Sequence, residues 1–341
     1  MTLNIKVRHL AAACIALAAG QACAQSSVRL YGLVDMWAGR SQTAGGGAAT
    51  TVINSGGMQT SYWGLGGSEA LDGSSRAVFA IEGYLQADSG MAGRTPGDAL
   101  FARNAYVGLQ GAAGEVRLGR LLNPLFVASA QSNPFGGSIR FAPLLAQLWS
   151  ASMGRTVAGD TSWDNAASYT TPALHGMKLA VYTGLGEDAA ASSPRNIGAT
   201  LSYVRGPLAT FLIVQRVGVG PGLAVAGRTR QNTYFAGGSY GLGRVRLFAS
   251  LDSANSRNPG LDARTAQAGM STPAGGGNVL LSWARTDNET NAGLDSRRDT
   301  GALGYDYFLS RRTDLYAVLQ SDRLSTANRA HSVGLGLRHT F

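Results

Sequence analysis

A two-residue rhythm constrains this chain more than any other feature. Residues 332–341 read S-V-G-L-G-L-R-H-T-F, which puts Val333, Leu335, Leu337 and Phe341 on one face of an extended segment. Gly334, Gly336, Arg338 and Thr340 fall on the other. A strand that is apolar on one side and small or polar on the other is buried on one face only. The sequence stops on the aromatic residue, with no polar tail after it.

The same pattern recurs along the chain. Segment 28–38 carries Val28, Leu30, Val34, Met36 and Ala38 on one face and Arg29, Tyr31 and Asp35 on the other, with Leu33 and Trp37 against the pattern. Segment 75–85 turns Ala77, Phe79, Ile81 and Leu85 one way and Arg76, Glu82 and Tyr84 the other. Further alternating segments give about sixteen strands, separated in turn by tight turns and longer Gly-, Ala- and Asn-rich connections. The longest irregular stretch is 121–165. Glycine supplies 47 of the 341 residues, about twice the usual share of roughly 7%.

The N-terminus reads as a secretion signal. Lys6 and Arg8 precede a short apolar run from Leu10 to Ala19, and Ala22-Cys23-Ala24 fits a cleavage site. The run is shorter than the roughly 18 apolar residues of a membrane helix. We therefore expect a signal peptide at 1–24 and a single domain at 25–341. Both cysteines, Cys14 and Cys23, leave with the signal, so the mature chain holds no disulfide. Losing Lys6 and Arg8 lowers the net charge from +9 by two, to +7. Lys178 is then the only lysine, and the arginines are spread singly, with only Arg297-Arg298 and Arg311-Arg312 adjacent, which argues against nucleic acid.

A membrane protein of ordinary hydropathy hides its apolar residues in alternation. A sheet in hydrocarbon cannot leave an edge unpaired. The expected fold is therefore all-β: a closed antiparallel transmembrane β-barrel in the Gram-negative outer membrane, wide enough at this strand number for a watery lumen. Outer-membrane lipid and lipopolysaccharide are the expected surroundings. Val333, Leu335, Leu337 and Phe341 are expected to be the assembly signal read by the barrel-assembly machinery.

Several segments resemble the trimeric general porins of β-proteobacteria, of the neisserial and bordetellal type. They are Ser27-Val28-Arg29-Leu30-Tyr31-Gly32-Leu33-Val34-Asp35, Trp63-Gly64-Leu65, Phe101-Ala102-Arg103-Asn104-Ala105-Tyr106-Val107-Gly108-Leu109, Leu118-Gly119-Arg120, Leu303-Gly304-Tyr305-Asp306-Tyr307 and Gly336-Leu337-Arg338-His339-Thr340-Phe341. The resemblance implies sixteen strands, a homotrimer, and passive diffusion of small hydrophilic solutes. It implies that the third loop folds inward and narrows the lumen, with Asn133-Pro134-Phe135-Gly136 as its turn. It implies that loop 86–99 reaches towards a neighbouring subunit. The chain has Tyr62 and Gly66 where that family usually carries arginines.

A pore needs fixed charge at a constriction, where low-dielectric walls focus the field. Wall candidates are Arg76, Arg117 and Lys178, by parity, with Arg120 at the loop entrance and Arg103 from the family motif. Loop candidates are Arg140, Arg155, Asp160 and Asp164. These are expected to leave the wall arginines little opposed, giving a modest anion preference weakened by Tyr62 and Gly66. A substrate-selective channel for an organic anion or sugar is the alternative reading.

Catalysis and cofactors are not expected. Gly237-Gly238-Ser239-Tyr240-Gly241 matches G-x-S-x-G, but it sits at a strand end with no helix to follow. His175, His331 and His339 lack metal-ligand spacing. Tyr31, Tyr84, Tyr106, Tyr305, Tyr307 and Tyr316 fit the aromatic girdles of a barrel, or ordinary sheet packing.

Overall fold

The computed structural model describes residues 27–186, 195–218, 230–257, 260–290 and 293–341. The expected signal peptide, 1–24, lies outside the described residues.

The described chain is mostly strand. In order these are β1 (Ser27–Ser41), β2 (Thr50–Ser55), β3 (Tyr62–Ala70), β4 (Arg76–Gln86), β5 (Met91–Ala92), β6 (Asn104–Gly111) and β7 (Gly114–Leu122). Helices α1 (Pro124–Gln131) and α2 (Pro143–Trp149) follow, with a 3-10 turn at Ala151–Met153. Then come β8 (Ser162–Thr170), β9 (Met177–Gly184), β10 (Asn196–Arg205), β11 (Leu208–Val217), β12 (Gln231–Leu242) and β13 (Val245–Arg257). The last are β14 (Gly260–Ala274), β15 (Gly277–Thr290), β16 (Ser296–Phe308), β17 (Thr313–Leu324) and β18 (Ala330–Thr340).

Setting aside β2 and β5, the remaining sixteen strands form one closed antiparallel barrel, each pairing with the next. The last strand closes on the first, from Leu33 opposite Thr340 to Arg40 opposite Val333. The chain end joins the seam: Phe341 donates its N–H to the Gly32 carbonyl at 3.0 Å, and Gly32 donates to the Phe341 carbonyl at 3.2 Å. Short β2 covers the far half of β1, and β5 hairpins back on the end of β4.

Burial runs opposite to that of a water-soluble protein. The outer face is exposed and apolar, as with Leu251 at 65% and Leu335 at 64%. Val333, Leu337 and Phe341 share that face and are exposed as the alternation requires. The buried apolar cluster instead joins Leu125, Phe126, Phe135, Phe141, Leu144 and Leu148 of the 123–161 connection to inward wall residues such as Trp37, Phe235 and Val318. This accounts for Trp37 breaking the alternation of β1: its ring meets Phe141 edge-on, with centroids 5.0 Å apart.

The structure corrects two expectations about regularity. Stretch 121–165 is not irregular throughout. Asn123-Pro124 starts α1, the Asn123 side chain accepting from the Leu125 N–H at 2.9 Å, and Ala142-Pro143 starts α2. Proline at the first helical position loses only a donor that has no partner there anyway. In addition, β13 to β16 run well past the apolar alternation, to 13 to 15 residues each. Their far ends carry polar residues on the outward face as well, such as Asp262, Arg264 and Asp287, so pairing continues where hydrophobic periodicity stops.

Four of the six expected girdle tyrosines face the lumen side instead. Tyr31 donates to Glu82 at 2.6 Å, Tyr316 donates to Asp35, Tyr84 lies under the Arg94 guanidinium and Tyr106 under that of Arg117. A hydroxyl or ring with a charged partner is placed by that partner, not by the lipid interface. Tyr305 and Tyr307 do share the outward parity of Leu303. The G-x-S-x-G match falls wholly inside β12, where Ser239 is a buried strand residue.

Candidate functional site

The third long connection, 123–161, packs against the strand faces opposite the exposed apolar band. Gln147 of α2 donates to Thr300 Oγ1 at 2.8 Å and accepts from Thr286 Oγ1 at 2.7 Å. Arg140 crosses to the closing seam, donating to Ser332 Oγ at 2.8 Å and to Ser41 Oγ and Gln320 Oε1 at 3.0 Å. Glycines on the wall make room for this. A Cβ at Gly334 would stand 2.6 Å from Phe141 Cζ, and one at Gly304 would stand 2.8 Å from Phe135 Cε1.

The Asn133–Gly136 turn is held by its own asparagine. Asn133 Oδ1 accepts from the Phe135 N–H at 2.8 Å, while its Nδ2 donates to the carbonyls of Ser129 and Gly136 at 2.8 and 3.0 Å. Gly136 has φ +56°, in the left-handed region that glycine tolerates best. Pro134 packs against Gly269 on β14.

One charged network gathers where the connection rejoins the wall. Arg120 donates to Asp160 at 2.7 Å, to Asp164 at 2.6 Å and to the Ala102 carbonyl at 2.7 Å. By parity Arg120 belongs with the outward Val116 and Leu118. A bulge between Gly119 and Leu121 shifts the β7–β8 register and turns it inward. Gly119 itself has φ +132° and lies so close to the Ala105 carbonyl that a Cβ would come within 2.2 Å. Arg103 is re-aimed too. It precedes β6 at a bend, pairs with Glu82, and sits 4.1 Å over the Tyr62 ring. Tyr62 stands where the resemblance implies a cation, so Arg103 brings charge to that spot. At Gly66, the other such position, the Tyr31 ring lies within 3.1 Å of where a Cβ would be.

The residue that sequence reasoning missed is Arg94. Its guanidinium donates to both oxygens of Asp160 at 2.8 and 2.9 Å, and also to Asp98 at 2.8 and 2.9 Å. Asp98 lies only four residues on, but nothing local links Arg94 to Asp160, 66 positions away. Burial pushes the Asp160 carboxyl up, but the hydrogen bonds and charge of Arg94, joined by Arg120, outweigh it and hold the group at about 2.

Opposing charge on the wall is not scarce. Arg103 meets Glu82, Arg117 meets Glu115 at 2.7 Å, and Arg120 meets Asp160 and Asp164. This corrects the expectation that the wall arginines stand little opposed: acids outside the third loop, Glu82 on β4 and Glu115 on the same strand as Arg117, share the inward face of the wall. Arg76 and Lys178 do not join the network. Both are exposed beside the short-turn rim, one at the start of β4 and the other near the start of β9.

Two loop cations differ from the rest. Arg140 and Arg155 have no ion-pair partner among the described residues, and burial lowers the affinity of each for its proton. Arg155 instead donates to the Val157 carbonyl at 2.7 Å. They line adjoining cavities of about 290 Å³ and about 640 Å³, which share Asn54, Ile139 and Ser150 as walls. A third cavity, of about 380 Å³, lies between α1 and the wall beside Glu115 and Arg117.

A closed sixteen-strand barrel with an apolar outside and a charged interior is an outer-membrane channel, through which small hydrophilic solutes diffuse passively. Residues 11–327 match the model of the Gram-negative porin family, and the chain belongs to that family. It is 33% identical to outer membrane porin protein 32 of Delftia acidovorans, over 92% of this chain and 88% of that one. It is 29% identical to an outer membrane porin protein of Bordetella pertussis, over 99% and 100% of the two chains. Among solved structures it resembles the anion-selective porin from Comamonas acidovorans, with TM-score 0.75 and 27% identity over 93% of this chain and 100% of that one.

Proposed function

We propose that 123–161 is an inward-folded loop that narrows the channel, and that the narrowed path favours anions. The carrying observation is Arg140 with Arg155. Every other arginine of the loop and its entrance is ion-paired with a carboxylate, whereas these two make no ion pair among the described residues and both border open cavities. An uncompensated cation beside a low-dielectric wall raises the local anion concentration. The solved relative described as anion-selective supports the same sign. The candidate wall and loop residues serve this site unequally: Arg103, Arg120, Asp160 and Asp164 fix the loop base, Asn133 to Gly136 shape its turn, and Arg140 and Arg155 supply the field.

The working unit in this reading is a homotrimer embedded in outer-membrane lipid. Planar-bilayer recording of the purified channel tests the selectivity. A salt gradient should give a reversal potential on the anion side, and a reversal potential on the cation side would overturn the reading. Block that saturates with one organic anion or sugar would replace it with a substrate-selective channel.

A further inference from the structure

We propose that the cleft between α1 and the inner faces of β7 to β11 binds a zwitterionic amino acid with an apolar side chain, Arg117 and Tyr182 taking its carboxylate and Glu115 its ammonium. The cleft is the cavity of about 380 Å³ beside Glu115 and Arg117, within the range of roughly 300–1,000 Å³ usual for small-molecule sites. It shares no lining residue with the cavities that Arg140 and Arg155 border.

Register builds the wall of the cleft. Arg117 stands opposite Ser168, Ser168 opposite Tyr182 and Tyr182 opposite Gly198. In the next row Glu115 stands opposite Thr170, Thr170 opposite Ala180 and Ala180 opposite Thr200. Alternate strand positions share a face, so both rows point inward. The short side chains between Arg117 and Tyr182, and between Glu115 and Thr200, leave a hollow. Gly198 gives the Tyr182 ring its place: a Cβ there would stand 2.7 Å from the hydroxyl oxygen.

Polar groups here still have hydrogen bonds to give. Tyr182 is 5% exposed, and neither its hydroxyl nor Thr200 Oγ1 makes a hydrogen bond among the described residues. A buried hydroxyl without a partner is costly, and a ligand that supplies one removes the cost. Arg117 Nε donates to Glu115 Oε1 at 2.7 Å, while the terminal nitrogens of Arg117 and Oε2 of Glu115 make no further hydrogen bond among the described residues. The pair is neutral as a whole, yet it presents a cationic end and an anionic end side by side.

The loop supplies an apolar half. Pro124, Val127 and Ala128 of α1 line the cleft, with Phe211 from β11. Val127 is 36% exposed, although Phe126 and Ala128 on either side of it are buried. A simple carboxylate would set a like charge beside Glu115. A simple amine would leave Tyr182 and Arg117 without an acceptor, and a sugar would leave the helix face uncovered. A zwitterion with a hydrocarbon side chain meets all three demands, and arginine holds a carboxylate with two parallel hydrogen bonds.

The test is isothermal titration calorimetry of the purified channel in mild detergent, with leucine as probe. Isocaproate, which lacks the ammonium, and isoamylamine, which lacks the carboxylate, should each bind about tenfold more weakly, the usual loss for one charge-assisted contact. Tyr182→Phe keeps the ring and should cost leucine about tenfold. Glu115→Gln should weaken leucine by about tenfold and leave leucine and isocaproate equal, a change of preference that a merely loosened wall does not give. Val127→Trp should fill the cleft and abolish binding with every polar group in place. Strand-rich far-ultraviolet dichroism shows that each variant is folded. No leucine binding by wild type, glucose bound as tightly as leucine, or a preference for leucine over isocaproate that survives Glu115→Gln would overturn the proposal. The wild-type reversal potential is read on the same preparation, so an anion-side potential with no leucine bound overturns the site and leaves the channel reading standing.

Discussion

Arg94 and Asp160 face each other through two parallel hydrogen bonds, Nη1 to Oδ1 at 2.8 Å and Nη2 to Oδ2 at 2.9 Å. The pair joins the second long connection to the end of the third. Arg120 reaches the same carboxylate from the wall at 2.7 Å, so one acid ties three parts of the chain together. Planar pairing of this kind is stronger than an ordinary ion pair and fixes orientation as well as distance.

Asp160→Asn should loosen that junction. With the carboxyl held at about 2 against an ordinary 3.8, the ionised form contributes about 2 kcal/mol to the folded arrangement at neutral pH. A depressed carboxyl stabilises fully above its ordinary value and ceases to do so as the pH falls through the folded one. The loop base should therefore hold down to about pH 4 and release between there and about pH 2. Hydrogen exchange of the 155–161 amides across that range measures it. Protection in Asp160→Asn that matches wild type at pH 7 would remove Asp160 as the tie.

Much of this was written in the sequence. Alternation placed Val333, Leu335 and Leu337 on the outer face and Arg117 and Glu82 on the inner one, because a strand shows its period within a few residues. The misses share a different cause. Arg120 breaks parity through a bulge at Gly119, and Arg94 is positioned by an acid far along the chain. The inward tyrosines read as girdle residues because an aromatic ring suits either face. Strand ends beyond the bilayer have polar residues on both sides, so their length left no trace in hydropathy.

Gly334→Leu should disturb the third loop without breaking the barrel. A Cβ there already meets Phe141 at 2.6 Å, and the Trp37 ring closes the other side at 3.0 Å. The larger side chain must displace Phe141 and with it the hydrogen-bonded Arg140. Single-channel conductance should change while the far-ultraviolet dichroism remains that of a strand-rich protein. Conductance equal to wild type would show that the loop does not set the passage.

The homotrimer should run on gels as a larger species that boiling converts to monomer. Because Arg94 is committed to Asp160 of its own chain, Arg94→Ala should loosen the loop base yet leave that species intact. A monomer by light scattering of the wild-type protein in mild detergent would dismiss the trimer.

Phe341 completes the barrel seam through its paired hydrogen bonds with Gly32, and its ring lies against the space a Gly32 side chain would fill. Phe341→Ser keeps the backbone pairing but removes the apolar end of the outward row. Outer-membrane yield should fall while export across the inner membrane continues. Wild-type yield over a range of expression levels would mean that the residue is not read during assembly.

Ion selectivity separates the two kinds of arginine most sharply. Arg120 is paired with Asp160 and Asp164, whereas Arg140 and Arg155 make no ion pair among the described residues and feel Asp322 and Asp160 only at a distance. Replacing Arg155 with Gln removes a cation that borders open space, and the reversal potential should move towards cations. Arg120→Gln should move it the same way by exposing two carboxylates, and Asp160→Asn should move it towards anions. Screening extends over roughly 8 Å at physiological salt and roughly 3 Å at molar salt. All three shifts should therefore be clear in dilute salt and fade in concentrated salt. If Arg140→Gln and Arg155→Gln both leave the reversal potential unchanged in dilute salt, ions take a path that these guanidiniums do not face.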